Sequence, residues 1–168
     1  MTWSAHDVAA ELRRRLPGLG TKRLHKLLYY SQGHHLAAVG EPLFGESIGA
    51  WDMGPVVDAL WVAEKRGVGG GSAAALDEAA LNTIGYVLSR YGGLSGDDLE
   101  AKTHREPPWR LADAVRRPGQ SAPIHPQWMH DYFAGDIADV PPTGLVAVGG
   151  PDTEDAPDEL RAWAARGA

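Results

Sequence analysis

The chain has 168 residues, no cysteine, 16 Lys+Arg against 22 Asp+Glu and a formal net charge of −6. The missing thiols exclude disulfides, cysteine nucleophiles and thiolate metal sites, and suit a reducing, cytoplasmic setting. No apolar run approaches the roughly 20 residues of a membrane helix, the start is too polar for a signal peptide, and the acidic balance argues against general nucleic-acid binding.

Charge is uneven along the chain. Residues 1–40 carry six bases (Arg13, Arg14, Arg15, Lys22, Arg23, Lys26) and two acids, whereas residues 152–168 carry five acids and two bases. A basic front can steer an acidic partner. The favoured reading is an ordinary solvated helix face.

Ser4 and Asp7 form a capping-box pattern ahead of a helix with Val8, Leu12 and Leu16 on one side, stopped at Pro17-Gly18. Thr21 is the expected N-cap of a second helix, whose stripe is Leu24, Leu27, Leu28, Ser31 and His35. Gly40 is its left-handed C-terminal cap. Residues 42–52 predict a small irregular or β element, because Pro42, Gly45 and Gly49 break a helix while Leu43, Phe44, Ile48 and Trp51 supply anchors. Gly54-Pro55 predicts the start of a third helix, running to about Arg66, with Pro55 in its first turn. Residues 67–72 predict a flexible glycine loop.

A fourth helix is predicted after Asp77, carrying Leu81, Ile84, Leu88 and Tyr91 and ending at Gly92-Gly93. Ser95 and Asp98 repeat the capping box before Leu99. Pro107-Pro108 ends that helix and launches another, from 109 to about 117. Pro126 opens a last one with Trp128, Met129, Tyr132 and Phe133. The expected fold is mainly α, a compact bundle of about six helices over residues 1–138. Residues 139–168 are an acidic Pro/Gly-rich tail with a short helix at 157–165 presenting Leu160 and Trp163.

Catalytic and metal patterns are weak. Gly45-Glu46-Ser47-Ile48-Gly49 matches a nucleophile elbow as text, but an elbow needs a strand before it and a helix after it. Of the seven His, His34 and His35 point about 100° apart on a helix, and no H-E-x-x-H occurs. His35, on the apolar stripe, is expected to be a hydrogen-bonded core residue. The glycine-rich stretches lack the Lys-Ser/Thr ending of a phosphate loop. No catalytic residue, metal site or cofactor is called for, and a non-enzymatic binding role is expected.

Three stretches in order carry a resemblance. They are Leu24-His25-Lys26-Leu27-Leu28-Tyr29-Tyr30-Ser31-Gln32-Gly33-His34-His35-Leu36, then Ile48-Gly49-Ala50-Trp51-Asp52-Met53-Gly54-Pro55-Val56-Val57, then Lys102-Thr103-His104-Arg105-Glu106-Pro107-Pro108-Trp109. Over roughly residues 5–135 the chain resembles the Panacea, or SocA-like, antitoxin domain of bacterial and prophage toxin–antitoxin pairs. The resemblance implies a cytoplasmic protein that neutralises a toxin encoded beside it by direct protein–protein binding. It leaves as an alternative an adaptor delivering the toxin to a ClpXP-type protease. A DNA-binding autoregulator is a weaker reading, since nucleic acid and membrane are not expected partners.

Within the motifs, Leu24, Lys26, Leu27, Gly33, Trp51, Gly54, Pro55, Pro108 and Trp109 are expected to hold the fold. Tyr29, Gln32, His104 and Glu106 are the candidate toxin-binding residues. Tyr29 and Gln32 lie off the main stripe, so they are expected to face outward or pack on the Trp51 loop. Replacing both with Ala is then expected to weaken neutralisation at a nearly unchanged Tm.

Overall fold

The computed structural model describes residues 2–135. The acidic tail, the 157–165 helix and the Leu160/Trp163 pair lie outside the described residues.

Ser4 caps α1 (Ala5–Arg15) through the expected reciprocal capping box with Asp7, and Ser95 with Asp98 does the same for α5 (Gly96–Thr103). Asp77 caps α4 (Glu78–Tyr91) by accepting from the Ala80 N–H at 2.9 Å. The long central helix α2 (Thr21–Val39) is capped one position earlier than expected: Gly20 is its N-cap and Thr21 its first helical residue. Gly40 closes it at φ 81°, in the left-handed region where glycine carries no penalty. The described residues further hold α3 (Asp58–Lys65), α6 (Pro107–Val115) and α7 (Pro126–Phe133), with prolines opening the last two.

The expected small β element is a hairpin. Strands β1 (Ile48–Trp51) and β2 (Gly54–Val57) pair antiparallel with Trp51 opposite Gly54, leaving Asp52-Met53 as a two-residue turn. A two-residue strand, β3 (Ala122–Pro123), pairs with the other side of β1 in the order β2-β1-β3. Gly54-Pro55 therefore does not begin the third helix. Gly54 has φ 102°, which no right-handed helix accepts, and Pro55 lies in an edge strand, where a missing N–H is tolerated. The helix starts only at Asp58.

α2 is the axis of the fold. α1, α4, α5, α7 and β2 all pack on it, and Leu24, Leu27, Leu28, Tyr29 and Tyr30 are fully buried. Elements on several sides leave the middle of α2 no solvent face. Gly33 lets α7 approach closely, since a Cβ there would overlap the Phe133 ring. The 67–72 loop is tied down rather than free: the Ser72 N–H donates to Asp7 at 2.8 Å, and Gly71 lies against the His6 backbone with no room for a side chain.

The basic front is absorbed by the fold. Arg13 pairs with Glu64, Arg14 and Arg15 with Glu11, and Lys22 with Asp97 and Glu100. Arg23 donates to the Gly92 carbonyl, and Lys26 is buried. These charges tie helices together, so steering an acidic partner is not their main use.

Candidate functional site

The second and third motifs meet at the β1–β2 turn. Four donors from elsewhere in the chain converge on this hairpin. His104, the C-cap of α5, donates from Nε2 to the Asp52 carbonyl at 2.9 Å. Trp109, on α6, donates its indole N–H to the Trp51 carbonyl at 3.0 Å. Lys26, on α2, donates to the Pro55 carbonyl at 3.2 Å. Arg116, the C-cap of α6, reaches the Asp52 carboxylate at 2.5 Å. The Trp51 indole N–H in turn donates to Asp58 at 2.7 Å, which fastens the strand to the start of α3.

Local sequence explains why these groups arrive together. Glu106-Pro107-Pro108 turns the chain sharply between α5 and α6, so that the His104 and Trp109 rings pack at a 38° tilt with centroids 4.2 Å apart. Gly54 is required twice over: its φ is positive, and a Cβ would sit 2.7 Å from Lys26 Cε and 3.0 Å from Thr103 Oγ1. Gly49 plays the same spatial part on β1, where a Cβ would lie 2.6 Å from the Asp58 carboxylate. At the outermost point of this clamped turn, Met53 is 54% exposed.

Electrostatics sharpen the picture. Burial pushes the Lys26 ammonium down to about 8, against a partly compensating pull from Glu100, so this lysine is held in the interior at some expense. Burial likewise lowers His104. His25, next to Lys26 in the first motif, accepts from the Val57 N–H at 3.1 Å and so ties the end of β2 to α2. Burial, with the nearby Lys26 and Arg13 charges, pushes it down to about 4. His34, 2.7 Å from the Tyr91 hydroxyl, is also pushed down to about 4, chiefly by burial.

These histidines give a pH prediction. Both folded values lie below the unfolded one of 6.5, so the fold favours neutral imidazole; its stabilisation is complete above pH 6.5 and is lost as pH falls toward 4. His25 alone accounts for about 3 kcal/mol over that window. Urea midpoints measured between pH 7 and 5 should fall steadily, before the carboxylates titrate. A flat midpoint over that range would show that these rings are not held neutral.

Of the four candidate binding residues, Tyr29 and Gln32 are placed differently from expectation. Tyr29 is fully buried, with its ring edge-on to Phe133 at 5.6 Å. Gln32 is buried and packs on residues 43–44 rather than the Trp51 loop. It accepts from Leu43 N–H at 2.7 Å and Phe44 N–H at 3.2 Å, and donates to the Phe44 carbonyl at 2.8 Å. Glu106 is also buried, accepting from Tyr30 at 2.9 Å and Tyr132 at 3.3 Å with Lys102 3.9 Å away. Of the four, His104 alone reaches the turn. The expectation that Tyr29 and Gln32 face outward fails because this stretch of α2 is covered on every side.

Lys26, Trp51, Gly54 and Trp109 meet at the hairpin, Pro55 lies in β2, Gly33 lies against Phe133, and Leu24, Leu27 and Pro108 are buried. Sequence reading missed Arg116. Its side chain, 1% exposed, also binds Asp113 at 2.7 Å and the Gln120 carbonyl at 3.1 Å. The Arg116-Arg117-Pro118-Gly119 run resembles any charged helix end, so only its partners reveal its role.

Ser47 of the elbow-like text lies just before β1, on the rim of a groove of about 270 Å³ between residues 42–48 and 123–129. A strand follows it, not a helix, so the backbone is not an elbow. His35 bonds Thr83 at 2.7 Å in the interior, as expected of a core histidine. Among the described residues no three His, Asp or Glu side chains gather as a metal site, and no helix is long and apolar enough to cross a membrane.

No curated protein and no solved structure matches the chain. The family model described as antitoxin SocA-like, Panacea domain, matches residues 24–110, a little over half of the sequence. That span opens in α2 and closes in α6, enclosing the hairpin and three of the four donors that clamp it. On that match, the chain belongs to the SocA-like antitoxin, Panacea domain, family.

Proposed function

We propose that this chain is an antitoxin that silences the toxin encoded beside it by direct binding, with the clamped β1–β2 turn as the contact. The observation that carries this reading is the convergence of Lys26, His104, Trp109 and Arg116 on the hairpin while Met53 stands exposed at its tip. A turn held from four sides loses little further conformational freedom on binding, which is the main gain from preorganisation. Methionine is enriched at binding surfaces and adapts its shape to different partners. Tyr29 and Glu106 then act by holding α2, α6 and α7 together, and Gln32 by holding residues 43–44 against α2. His104 is a positioning residue that sets the turn.

The test is genetic. The adjacent open reading frame is expressed alone and together with this chain. Growth arrest relieved by co-expression supports the proposal; a harmless neighbour, or toxicity unaffected by this chain, removes it. Following the toxin's half-life in the same cells separates direct binding, which leaves it unchanged, from delivery to a ClpXP-type protease, which shortens it. Ser47→Ala should neutralise as well as the parent chain, and a loss of neutralisation would revive a hydrolytic reading.

A further inference from the structure

α3 is the least covered α-helix among the described residues. Of its eight residues only Leu60 is buried. Trp61 is 40% and Val62 41% exposed, and Val68 beyond the helix is 60% exposed. A shallow groove of about 520 Å³ runs along this side, lined by Asp58, Ala59, Val62, Ala63, Arg66 and Val68. Val62 and Val68 line this groove, and exposed apolar side chains grouped in this way mark a surface that something else covers.

The charges around the groove favour an acidic occupant. Asp58 is engaged by Trp51 and Ser121, and Glu64 by Arg13. With Glu64 paired, Lys65, whose ammonium lies 4.2 Å over the Trp61 ring, and exposed Arg66 outweigh the single Asp58 carboxylate. The sequence itself contains a matching segment. Residues 152–168 hold five acids and two bases, and Leu160 and Trp163 are spaced to share one helical face. From Gly135 to Asp158 the chain can span about 75 Å when extended, far more than the roughly 14 Å radius of gyration of a domain this size.

We propose that residues 157–165 dock on the outer side of α3, placing Leu160 and Trp163 in the Val62–Val68 groove and the flanking Glu159 carboxylate by Lys65 and Arg66. Tethering raises the local concentration of the segment to the millimolar range, so modest intrinsic affinity fills the groove. The docked segment covers the apolar side of α3 and brings a carboxylate to Lys65 and Arg66.

The absence of native cysteine makes a proximity test free of background thiols. The full chain carries Val62→Cys with Ala164→Cys; the control carries Tyr86→Cys, exposed on α4, with Ala164→Cys. Under mild oxidation the first pair is expected to close an intramolecular disulfide at least about tenfold faster than the control. Adding Trp163→Ser, or raising the salt, should bring its rate down toward the control. Both positions on the domain are exposed, and an unchanged Tm confirms that the fold is intact. Equal rates for the two pairs would overturn the proposal, as would disulfides formed only between chains, which would assign the groove to a second copy. In the single variant Val62→Cys, a thiol that is open to alkylation in the free chain and shielded only when the toxin is added would assign the groove to the toxin instead.

Discussion

Replacing Tyr29 and Gln32 together with Ala is expected to unfold much of the domain at 37 °C. Tyr29 loses a fully buried ring packed on Tyr30 and Phe133, a truncation that costs about 3–5 kcal/mol in comparable cores. Gln32→Ala strips the Leu43 and Phe44 N–H groups and the Phe44 carbonyl of their side-chain partner, which adds about 1–3 kcal/mol. The sum is a large part of the roughly 5–15 kcal/mol that holds a typical domain together. Differential scanning calorimetry should show a fall in Tm of more than about 15 °C. Tyr29→Phe, which keeps the ring, should melt close to the parent. A double variant with parental Tm would place both side chains on the surface after all, and the central position of α2 would be wrong.

Arg116→Met is expected to be nearly as damaging, through a different mechanism. The guanidinium bonds Asp113, which is fully buried, together with the Gln120 carbonyl and the half-exposed Asp52. Removing one member of a buried ion pair leaves the other desolvated and costs about 3–5 kcal/mol. This corresponds to a Tm lower by roughly 10–20 °C. Arg116→Lys should not rescue it, because an ammonium cannot match the planar fork that serves three acceptors at once. Asp52→Asn removes only the exposed end of the network and should cost about 1 kcal/mol or less. If Arg116→Met and Asp52→Asn melt alike, the network does not hold the α6 end as described.

Much of the architecture was legible because it is written in local chemistry. Ser4 with Asp7, Ser95 with Asp98, Asp77, Gly40 and the paired prolines act within one turn of themselves, so each helix end they mark is real. Gly54-Pro55 misled because the same dipeptide suits a helix start and an edge strand; the Trp51–Gly54 pairing that decides between them is set by the hairpin as a whole. β3 has two residues and no periodicity to detect.

The candidate site was harder still. An off-stripe position on a helix predicts exposure only where the helix has a solvent face, and the middle of α2 has none, so Tyr29 and Gln32 were assigned to the wrong side of the surface. The motifs named His104, Trp109 and Lys26, but only the fold shows that all three aim at one hairpin. Arg116 lies outside the motifs altogether, and Met53 is unremarkable until the turn lifts it into solvent.

The measurement closest to the central claim is the affinity of the purified chain for the protein encoded beside it, compared with the Met53→Asp variant. Met53 stands at the tip of the turn and outside the core, so the variant's Tm should match the parent. The account predicts that Kd rises at least about tenfold, roughly 1.4 kcal/mol, from a charge placed at the tip of the clamped turn. An unchanged Kd with an intact fold would contradict it, and the toxin would then be held by some other face of the domain.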